Sequence, residues 1–247
     1  MKDLLVAVPS RGRPGSIARL AAAMLDTCQG DTSLLVGVDQ DDPRLAEYVA
    51  LDLRPMVVPV EVRAGLRQVV AWVNELTVPL TGHYRFTGHI GDDNLPITPG
   101  WDVAVMEALG KTPFAFANDL YPRAPGSLCC HVFMRSEIID ALGYFAPPGI
   151  KHMYSDVAWM AWGTACGITY LHDVIIEHLH YSVGKSPADE SYAASSALIH
   201  GGDMAAWHAY SRDLGPGGLN ADITKLGGTP FTATALEYFN RNLNIPG

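Results

Sequence analysis

The N-terminal half of the chain alternates short apolar runs with helical patterns, and few fold classes accommodate this order. The predicted strands are Leu4–Val8, Ser33–Asp39, Met56–Val62 and Tyr84–Ile90. A helical pattern begins at Pro14, and a second apolar helix face runs from Leu66 to Leu76. Short continuous apolar runs are typical of strands that are covered on both faces. We therefore predict an α/β fold with a mainly parallel central sheet and helices on both faces.

The composition sets the size of the protein and excludes several functions. A chain of 247 residues fits one α/β domain. The formal net charge of -9 argues against strong nonspecific binding of nucleic acid, which requires a basic surface. No segment reaches the roughly 18 consecutive apolar residues of a membrane span. The four cysteines form no CxxC pair, which favours a reducing compartment, and we expect a cytoplasmic protein.

The second half of the chain is less regular, and it ends in a glycine-rich segment. Predicted elements there are strands at Phe114–Asn118 and His131–Arg135 and helices at Asp156–Cys166 and Thr232–Asn242. We divide the chain into a main domain of residues 1–200 and a C-terminal extension of residues 201–247. The closing helix of this extension is expected to pack on the same domain.

Polar clusters follow the predicted strands at the edge where α/β sheets bind ligands. These clusters are Pro9–Pro14, Asp39–Asp42, Arg63–Arg67 and Asp92–Asn94. Arg11 and Arg13 carry planar donor groups that suit a diphosphate or a nucleobase edge, although a solvated turn explains them equally well. Gly65 would allow close approach of the backbone to a phosphate or nucleoside, and Arg67 lies in the first turn of the following helix.

The adjacent acids Asp92 and Asp93 come directly after a predicted strand. Mg²⁺ and Mn²⁺ prefer hard oxygen ligands and commonly take one or two carboxylates beside phosphate oxygens. An isolated Asp-Asp pair is more often an Asx-rich turn, so the neighbouring motifs decide between the two interpretations.

Several motifs, in this order, resemble the GT-A glycosyltransferases. They are PSRGRPG at Pro9–Gly15, Val38-Asp39, Gly91-Asp92-Asp93-Asn94 and Pro99-Gly100-Trp101-Asp102. The sequence is similar in particular to the short family-two-like enzymes of bacteriophages and actinobacteria, over roughly residues 4–190. The resemblance implies a GT-A (nucleotide-diphospho-sugar transferase) fold, a nucleotide-sugar donor and a divalent metal. It also implies that Pro9, Ser10 and Asp39 contact the nucleoside.

The same resemblance assigns the acidic motif to the metal and the ribose. The usual DxD spacing would need acids at 91 and 93 or at 92 and 94, but Gly91 and Asn94 stand there. We expect Asp93 to be the main metal ligand and Asp92 to contact the ribose. Asn94 as a neutral oxygen ligand is the alternative.

The segment Tyr154–Trp159 resembles the Glu-Asp motif of the family, with Ser155 in place of the first acid. The resemblance implies that Asp156 is the general base of an inverting transfer. A carboxylate at a helix N-terminus is stabilised as the anion and is ready to accept a proton. Capping of the first helical turn is the alternative role, and the two can coexist.

Glu177-His178-Leu179-His180 precedes Gly184-Lys185. Histidines two residues apart on a strand point to the same face. The resemblance implies that a late histidine completes the metal shell, for which we choose His180 first and His178 second. Lys185 is expected to stabilise the leaving diphosphate, although it could be a solvated loop lysine. Residues expected near the acceptor or donor sugar are Asn118, Asp119, His131 and Trp159, each of which could equally be a core or loop residue.

The functional hypothesis is transfer of a sugar from a nucleotide-diphosphate donor, UDP-sugar being favoured, to an acceptor hydroxyl. We expect an inverting enzyme that depends on Mn²⁺ or Mg²⁺. The acceptor would be a glycan, a protein or a modified nucleobase, and the location would be the host cytoplasm if a phage encodes the chain. A nucleotidyltransferase of related fold and a catalytically silent sugar- or nucleotide-binding module are the alternatives.

Overall fold

The structure is a computed structural model, and it describes residues 1–53, 60–64, 68–189, 192–193, 202–212 and 217–245. One eight-stranded sheet forms its centre, with the strand order β3-β2-β1-β4-β7-β6-β8-β5. The strands are β1 (Lys2–Ser10), β2 (Thr32–Asp39), β3 (Glu61–Arg63), β4 (Tyr84–His89), β5 (Asn94–Pro96), β6 (Phe114–Asn118), β7 (Val132–Arg135) and β8 (Ile168–His178).

Helices cover the sheet and follow the strands in chain order. Within the described ranges the α-helices are α1 (Pro14–Thr27), α2 (Leu45–Val49), α3 (Val69–Thr77), α4 (Trp101–Leu109), α5 (Ser136–Leu142), α6 (Ser155–Cys166), α7 (Met204–Arg212), α8 (Leu219–Lys225) and α9 (Ala233–Asn242). None of these helices has the length and apolar character needed to cross a bilayer.

The sheet is parallel in its N-terminal half and mixed beyond β4. Strand β1 pairs in parallel with β2 and β4, and β2 pairs in parallel with β3. Strand β7 is antiparallel to both β4 and β6, whereas β6 and β8 are parallel. The short β5 pairs antiparallel with the end of β8. The predicted α/β class with helices on the sheet is confirmed.

Most of the predicted elements are present close to the expected positions. The runs at Leu4–Val8, Ser33–Asp39 and Tyr84–Ile90 are confirmed as β1, β2 and β4, and a helix begins at Pro14 as predicted. Most of the predicted strand Met56–Val62 lies outside the described residues. The later strands and helices confirmed by the structure are β6, β7, α6 and α9.

Strand β1 shows why the sequence has a continuous apolar run at this point. Leu4, Leu5, Val6, Ala7 and Val8 are all 0% exposed. Because successive side chains point to opposite faces of a sheet, alternate residues enter different core clusters. Leu4, Val6 and Val8 pack with residues of α1 and α4, and Leu5 and Ala7 pack with residues of α3. Both faces are therefore covered, and β1 lies in the interior of the sheet.

The described part of the C-terminal segment packs against the main body of the protein. Trp207 of α7, Ile223 of α8 and Phe239 of α9 belong to the same hydrophobic cluster as Trp159 and Trp162 of α6. Burial of these apolar side chains holds the segment against α6, since removing apolar area from water is strongly favourable.

A buried carboxylate ties the same segment to the loop that precedes α6. Asp203 is 1% exposed and accepts hydrogen bonds from the backbone N–H groups of Lys151, His152 and Met153, at 3.1, 2.9 and 2.8 Å. A carboxylate can accept several such bonds at once, which is why an acid suits this position. Asp203 therefore sets the direction in which the chain enters α6.

We predict that Asp203→Asn lowers the free energy of unfolding by about 1–3 kcal/mol, because the amide NH₂ group would face backbone donors. Urea unfolding followed by fluorescence measures the change. Asp173→Asn is the matched control, since the Asp173 side chain is 99% exposed. An Asp203→Asn midpoint equal to that of the control would show that these three hydrogen bonds contribute nothing.

Candidate functional site

The end of β1 meets the end of β4 through a buried serine and a buried aspartate. The Ser10 hydroxyl donates a hydrogen bond of 2.6 Å to Oδ2 of Asp92. Its oxygen also lies 2.7 Å from the Tyr48 hydroxyl, which in turn accepts from the backbone N–H of Arg13. Burial raises the pKa of Asp92 to about 6, although Arg13 and Ser10 counteract this effect. The parallel pairing of β1 with β4 thus brings two predicted site residues into contact.

Arg13 connects this pair to the loop after β8. Its Nη1 donates to Oδ1 of Asp92 at 2.9 Å, and its Nε and Nη2 donate to the two oxygens of Asp189 at 2.6 Å each. The guanidinium also stacks over the Tyr192 ring, at 4.4 Å from the ring centroid. Such a bidentate, stacked arrangement suits arginine and does not suit lysine.

Asp93 points to a different set of partners from those of its neighbour. Its Oδ2 accepts a hydrogen bond of 2.8 Å from the Tyr192 hydroxyl and lies 3.3 Å from Nε2 of His178. Burial would raise the pKa of Asp93, but the bonds and charges of His178, Tyr192 and Arg13 outweigh burial and lower the pKa. Asp93 is therefore ionised at neutral pH, whereas the pKa of Asp92 lies about one unit below neutral pH.

The β5–β8 pairing explains how His178 reaches Asp93. In this antiparallel pair Asn94 is opposite His178, and the backbone N–H of Leu179 donates to the Asp93 carbonyl at 2.8 Å. Oδ1 of Asn94 accepts from the backbone N–H of Gly91 at 2.6 Å, which closes the turn between β4 and β5. A Cβ at Gly91 would lie 2.5 Å from Oδ1 of Asp93, so a larger residue here would displace the Asp93 side chain.

His180 and Lys185 make their polar contacts with residues other than Asp92 and Asp93. Nδ1 of His180 lies 2.7 Å from the Ser182 hydroxyl and accepts from the Ser182 backbone N–H at 3.2 Å. The His180 ring lies 5.0 Å from the His178 ring, centroid to centroid. Nζ of Lys185 makes an ion pair with Glu177 at 2.7 Å. In the structure, the histidine that contacts Asp93 is therefore His178, which was our second choice from the sequence after His180.

A further group of predicted residues meets at the ends of β1 and β2. Asp39 is 2% exposed and accepts hydrogen bonds from Nε1 of Trp72 at 3.1 Å and from Nη1 of Arg11 at 3.2 Å. Pro9 lies within β1, paired with Gly37 of β2. Gly37 must be glycine, because a Cβ there would lie 2.5 Å from the Trp72 ring. The predicted residues Gly65 and Arg67 lie outside the described residues.

Asp156 lies in the first turn of α6, as the sequence indicates. Its Oδ1 accepts from the backbone N–H of Val157 at 2.8 Å. Burial raises the pKa of Asp156, partly offset by that hydrogen bond and by the charges of Arg123 and His178. A carboxyl whose pKa is raised is a stronger proton acceptor when it is ionised.

One cluster joins residues that no sequence motif connects. Oδ2 of Asp119 accepts a hydrogen bond from Nη2 of Arg123, which also contacts Sγ of Cys130 at 3.3 Å. The ligand atoms of Asp119, Cys130 and His178 lie within 4.8 Å of one another. We expected Asp119 near a sugar, but the sequence offers no signal for Arg123, Tyr192 or Asp189. No sequence pattern links these three to the motifs, and only the folded chain brings them to the site.

The residues at Asp93 fit a divalent ion. A carboxylate oxygen and an imidazole nitrogen lie side by side, and both are ligand types that Mn²⁺ accepts. Nδ1 of His178 is buried and has no hydrogen-bond partner among the described residues. Within the described part of the chain, no second hydrogen bond therefore fixes which of its nitrogens carries the proton.

Comparison with known proteins defines the class of the fold. No protein-family model matches the chain, and no curated protein sequence matches it either. Among solved structures, glucosyl-3-phosphoglycerate synthase from Mycobacterium tuberculosis, with Mg²⁺ and UDP, has a TM-score of 0.57 at 12% identity, covering 84% of this chain and 79% of that one.

Two other solved structures are similar to the chain. Residues 1–349 of TarS from S. aureus, with UDP, have a TM-score of 0.54 at 12% identity, over 91% of this chain and 70% of that one. The mannosyltransferase PcManGT from Pyrobaculum calidifontis, with GDP-Man and Mn²⁺, has a TM-score of 0.51 at 11% identity, over 100% and 83%. The chain therefore has the GT-A fold of the nucleotide-diphospho-sugar transferases.

A buried histidine, His89, ends β4 and links it to β1 and α6. His89 is 7% exposed, and its Nδ1–H group donates to the Ala7 carbonyl at 3.0 Å. Its ring packs on Trp159 of α6, with 5.6 Å between ring centroids. Burial lowers the pKa of His89 to about 4, so the ring is neutral in the folded protein at pH 7.

We predict that His89 makes the protein less stable in acid. The unfolded chain binds a proton on this residue near pH 6.5, and the folded chain does so only near pH 4, so stability is lost as the pH falls between these values. The loss is about 3 kcal/mol at most. His89→Asn keeps a donor for the Ala7 carbonyl and does not titrate, so its stability should change less between pH 7 and pH 4.

Urea unfolding of both proteins at a series of pH values measures this difference. His172→Asn is the matched control, because the His172 side chain is 70% exposed. Parallel pH profiles for the wild type and His89→Asn would refute the assignment.

Proposed function

We propose that the protein is a glycosyltransferase that moves a sugar from a nucleotide-diphosphate donor to an acceptor hydroxyl. The observation that carries the proposal is the contact of Asp93 with His178, next to the Ser10–Asp92–Arg13 cluster. Solved GT-A structures that contain UDP with Mg²⁺, or GDP-Man with Mn²⁺, support a divalent ion and a nucleotide-sugar donor. A UDP-sugar is our preferred donor, and we propose an inverting reaction.

Asp93 and His178 are the residues that we propose hold the divalent ion. When bound, the ion supplies positive charge that neutralises the leaving diphosphate. Asp93 is suited to this role because its partners keep it ionised. We propose His180, whose ring neighbours that of His178, as a second metal ligand.

Arg13 is our candidate for contact with the diphosphate. Its guanidinium is now engaged by Asp92 and Asp189, so a diphosphate would exchange with the Asp189 carboxylate, the more exposed of the two. Asp92, whose pKa is raised by burial to about 6, would hydrogen-bond to the ribose. The remaining residues proposed for the donor are Pro9, Ser10, Arg11 and Asp39 for the nucleoside, Gly65 and Arg67 for the nucleoside or phosphates, and Lys185 for the diphosphate.

Asp156 is our candidate for the general base. It would take the proton of the acceptor hydroxyl while the hydroxyl oxygen bonds to the anomeric carbon. The bond between that carbon and the diphosphate oxygen breaks in the same step, and the electron pair leaves with the nucleoside diphosphate. Burial, which raises the pKa of Asp156, strengthens it as a base.

The location and acceptor are also proposals. All four cysteines are free, which fits a reducing cytoplasm, or the host cytoplasm for a phage-encoded chain. A glycan, a protein or a modified nucleobase would provide the acceptor hydroxyl.

We predict that Asp93→Asn and Asp156→Asn fail in different ways. Asp93→Asn should weaken Mn²⁺-dependent UDP binding by about 10- to 100-fold, because it replaces an anionic carboxylate ligand by a neutral amide. Asp156→Asn should leave UDP binding unchanged and lower turnover by about 10²–10⁴-fold. Calorimetry with UDP and Mn²⁺ measures binding, and release of nucleoside diphosphate from a panel of nucleotide sugars measures turnover.

Asp173→Asn serves again as the exposed control. Normal turnover by Asp156→Asn would remove it as the base. Release of pyrophosphate in place of nucleoside diphosphate would identify a nucleotidyltransferase, and tight binding without turnover would identify a silent module.

We predict that the two histidines are unequal. His178→Ala should abolish the increase in melting temperature that Mn²⁺ adds to UDP binding, whereas His180→Ala should retain most of it, because only His178 contacts Asp93. Thermal denaturation with UDP, with and without Mn²⁺, measures both. The opposite order would move the proposed metal ligand to His180.

A further inference from the structure

Three side chains with different ligand atoms meet where β6, β7 and β8 come together. Asp119 directly follows β6, Cys130 lies two residues before β7, and His178 is the last residue of β8. Strand β6 pairs with both other strands, and the backbone N–H of His178 donates to the Asp119 carbonyl at 2.9 Å. One ligand atom of each residue lies within 4.8 Å of the other two. We call this group the Asp119–Cys130–His178 cluster.

The His178 ring has a nitrogen that its contact with Asp93 does not use. Nε2 lies 3.3 Å from Oδ2 of Asp93, whereas Nδ1 is buried and has no hydrogen-bond partner among the described residues. Buried polar atoms in folded proteins nearly always have a partner. An unpartnered nitrogen in a ring that borders a thiol and a carboxylate therefore points to a ligand that this cluster can take.

The charges around Cys130 favour a cation. Burial and the carboxylates of Asp156 and Asp119 raise the pKa of its thiol, whereas Arg123 acts in the opposite direction. A negative potential that disfavours a thiolate also attracts a positive ion. Nη2 of Arg123 supplies such a charge, since it donates to Asp119 and lies 3.3 Å from Sγ of Cys130. An ion that binds the cluster would therefore compete with the Arg123 guanidinium.

The sulfur atom decides which ion suits the cluster. Mg²⁺ and Mn²⁺ prefer oxygen ligands, whereas Zn²⁺ accepts thiolate sulfur, imidazole nitrogen and carboxylate oxygen in one site. Three protein ligands leave the fourth tetrahedral position to water. Cys130 and His178 are partly exposed, and Asp119 lines a surface depression, so a hydrated ion can reach the cluster from solvent.

We propose that the Asp119–Cys130–His178 cluster binds Zn²⁺, and that Zn²⁺ bound there excludes the ion proposed at Asp93. On binding, the Cys130 thiol releases its proton to solvent, its sulfur bonds to Zn²⁺, and the Arg123 guanidinium leaves the cluster. A neutral imidazole has one unprotonated nitrogen, so His178 can serve one ion at a time. The exclusion rests on the proposed function, whereas the zinc site does not.

Co²⁺ tests the site without any nucleotide, because it occupies zinc sites and a thiolate ligand gives it a charge-transfer absorption band. We expect Co²⁺ to produce this band with the reduced full chain, and Zn²⁺ to remove it. Cys130→Ala should lose the band. Cys166→Ala is the matched control, since it removes another partly buried cysteine, and it should retain the band.

Two further variants keep the test informative if Cys130→Ala folds poorly. Asp119→Asn should keep the band at saturating Co²⁺ and weaken Co²⁺ binding by about 10- to 100-fold, because a neutral amide replaces an anionic ligand. Arg123→Gln should bind Co²⁺ more tightly than the wild type, because it removes the competing charge. Equal or weaker binding by Arg123→Gln would contradict that competition.

Calorimetry with UDP and Mn²⁺ tests the exclusion. Zn²⁺ at a concentration equal to that of the protein should reduce UDP binding by the wild type and by Cys166→Ala. It should not affect UDP binding by Cys130→Ala, which keeps Asp93 and His178 but lacks the thiol.

The outcomes separate the site from the proposed function. A wild type without the band, or a Cys130→Ala protein that retains it, would overturn the zinc site. A normal band together with UDP binding that Zn²⁺ leaves unchanged would overturn the sharing of His178. If the wild type binds no UDP with Mn²⁺ alone, the proposed function fails, and the Co²⁺ band still decides the zinc site.

Discussion

Two adjacent carboxylates lie at the end of β4, largely removed from solvent, and the organisation of the site follows from their charges. Neighbouring buried acids repel each other, and each loses hydration, so both cannot remain ionised without cationic or hydrogen-bonding partners. Asp92 receives Ser10 and Arg13 from the end of β1, and Asp93 receives His178 and Tyr192 from the segment beginning with β8. Elements that are distant in the chain therefore converge on two consecutive residues.

The two acids differ because their partners differ. At Asp92 the effect of burial is larger than that of its partners, so its pKa rises. At Asp93 the hydrogen bonds and charges of its partners outweigh burial, so its pKa falls. Pairs of acids with separated pKa values are typical of functional sites, since one can bind a cation while the other exchanges a proton or a hydrogen bond. The same separation gives each acid a distinct role in the proposed transfer.

The described part of the C-terminal segment makes hydrogen bonds that position elements next to the site. Asp203 orients the loop before α6, and Asp222 accepts hydrogen bonds of 2.5 Å from the hydroxyls of Tyr144 and Tyr210. Tyr210 also accepts from Nε1 of Trp162 in α6. Because α6 carries Asp156, these buried polar contacts fix the helix that holds the proposed base.

Local patterns in the sequence were enough to predict β1, β2, β4 and the start of α1, because continuous apolar runs and a helix-initiating proline act over a few residues. They also drew attention to Asp93, Asp156 and the histidine pair. The antiparallel placement of β7, the pairing of β5 with β8 and the choice of His178 over His180 at Asp93 were decided by tertiary structure. So were the positions of Arg123 and Tyr192. The partners of a buried charge depend on which distant segments of the chain meet in space, and no local pattern in the sequence encodes that contact.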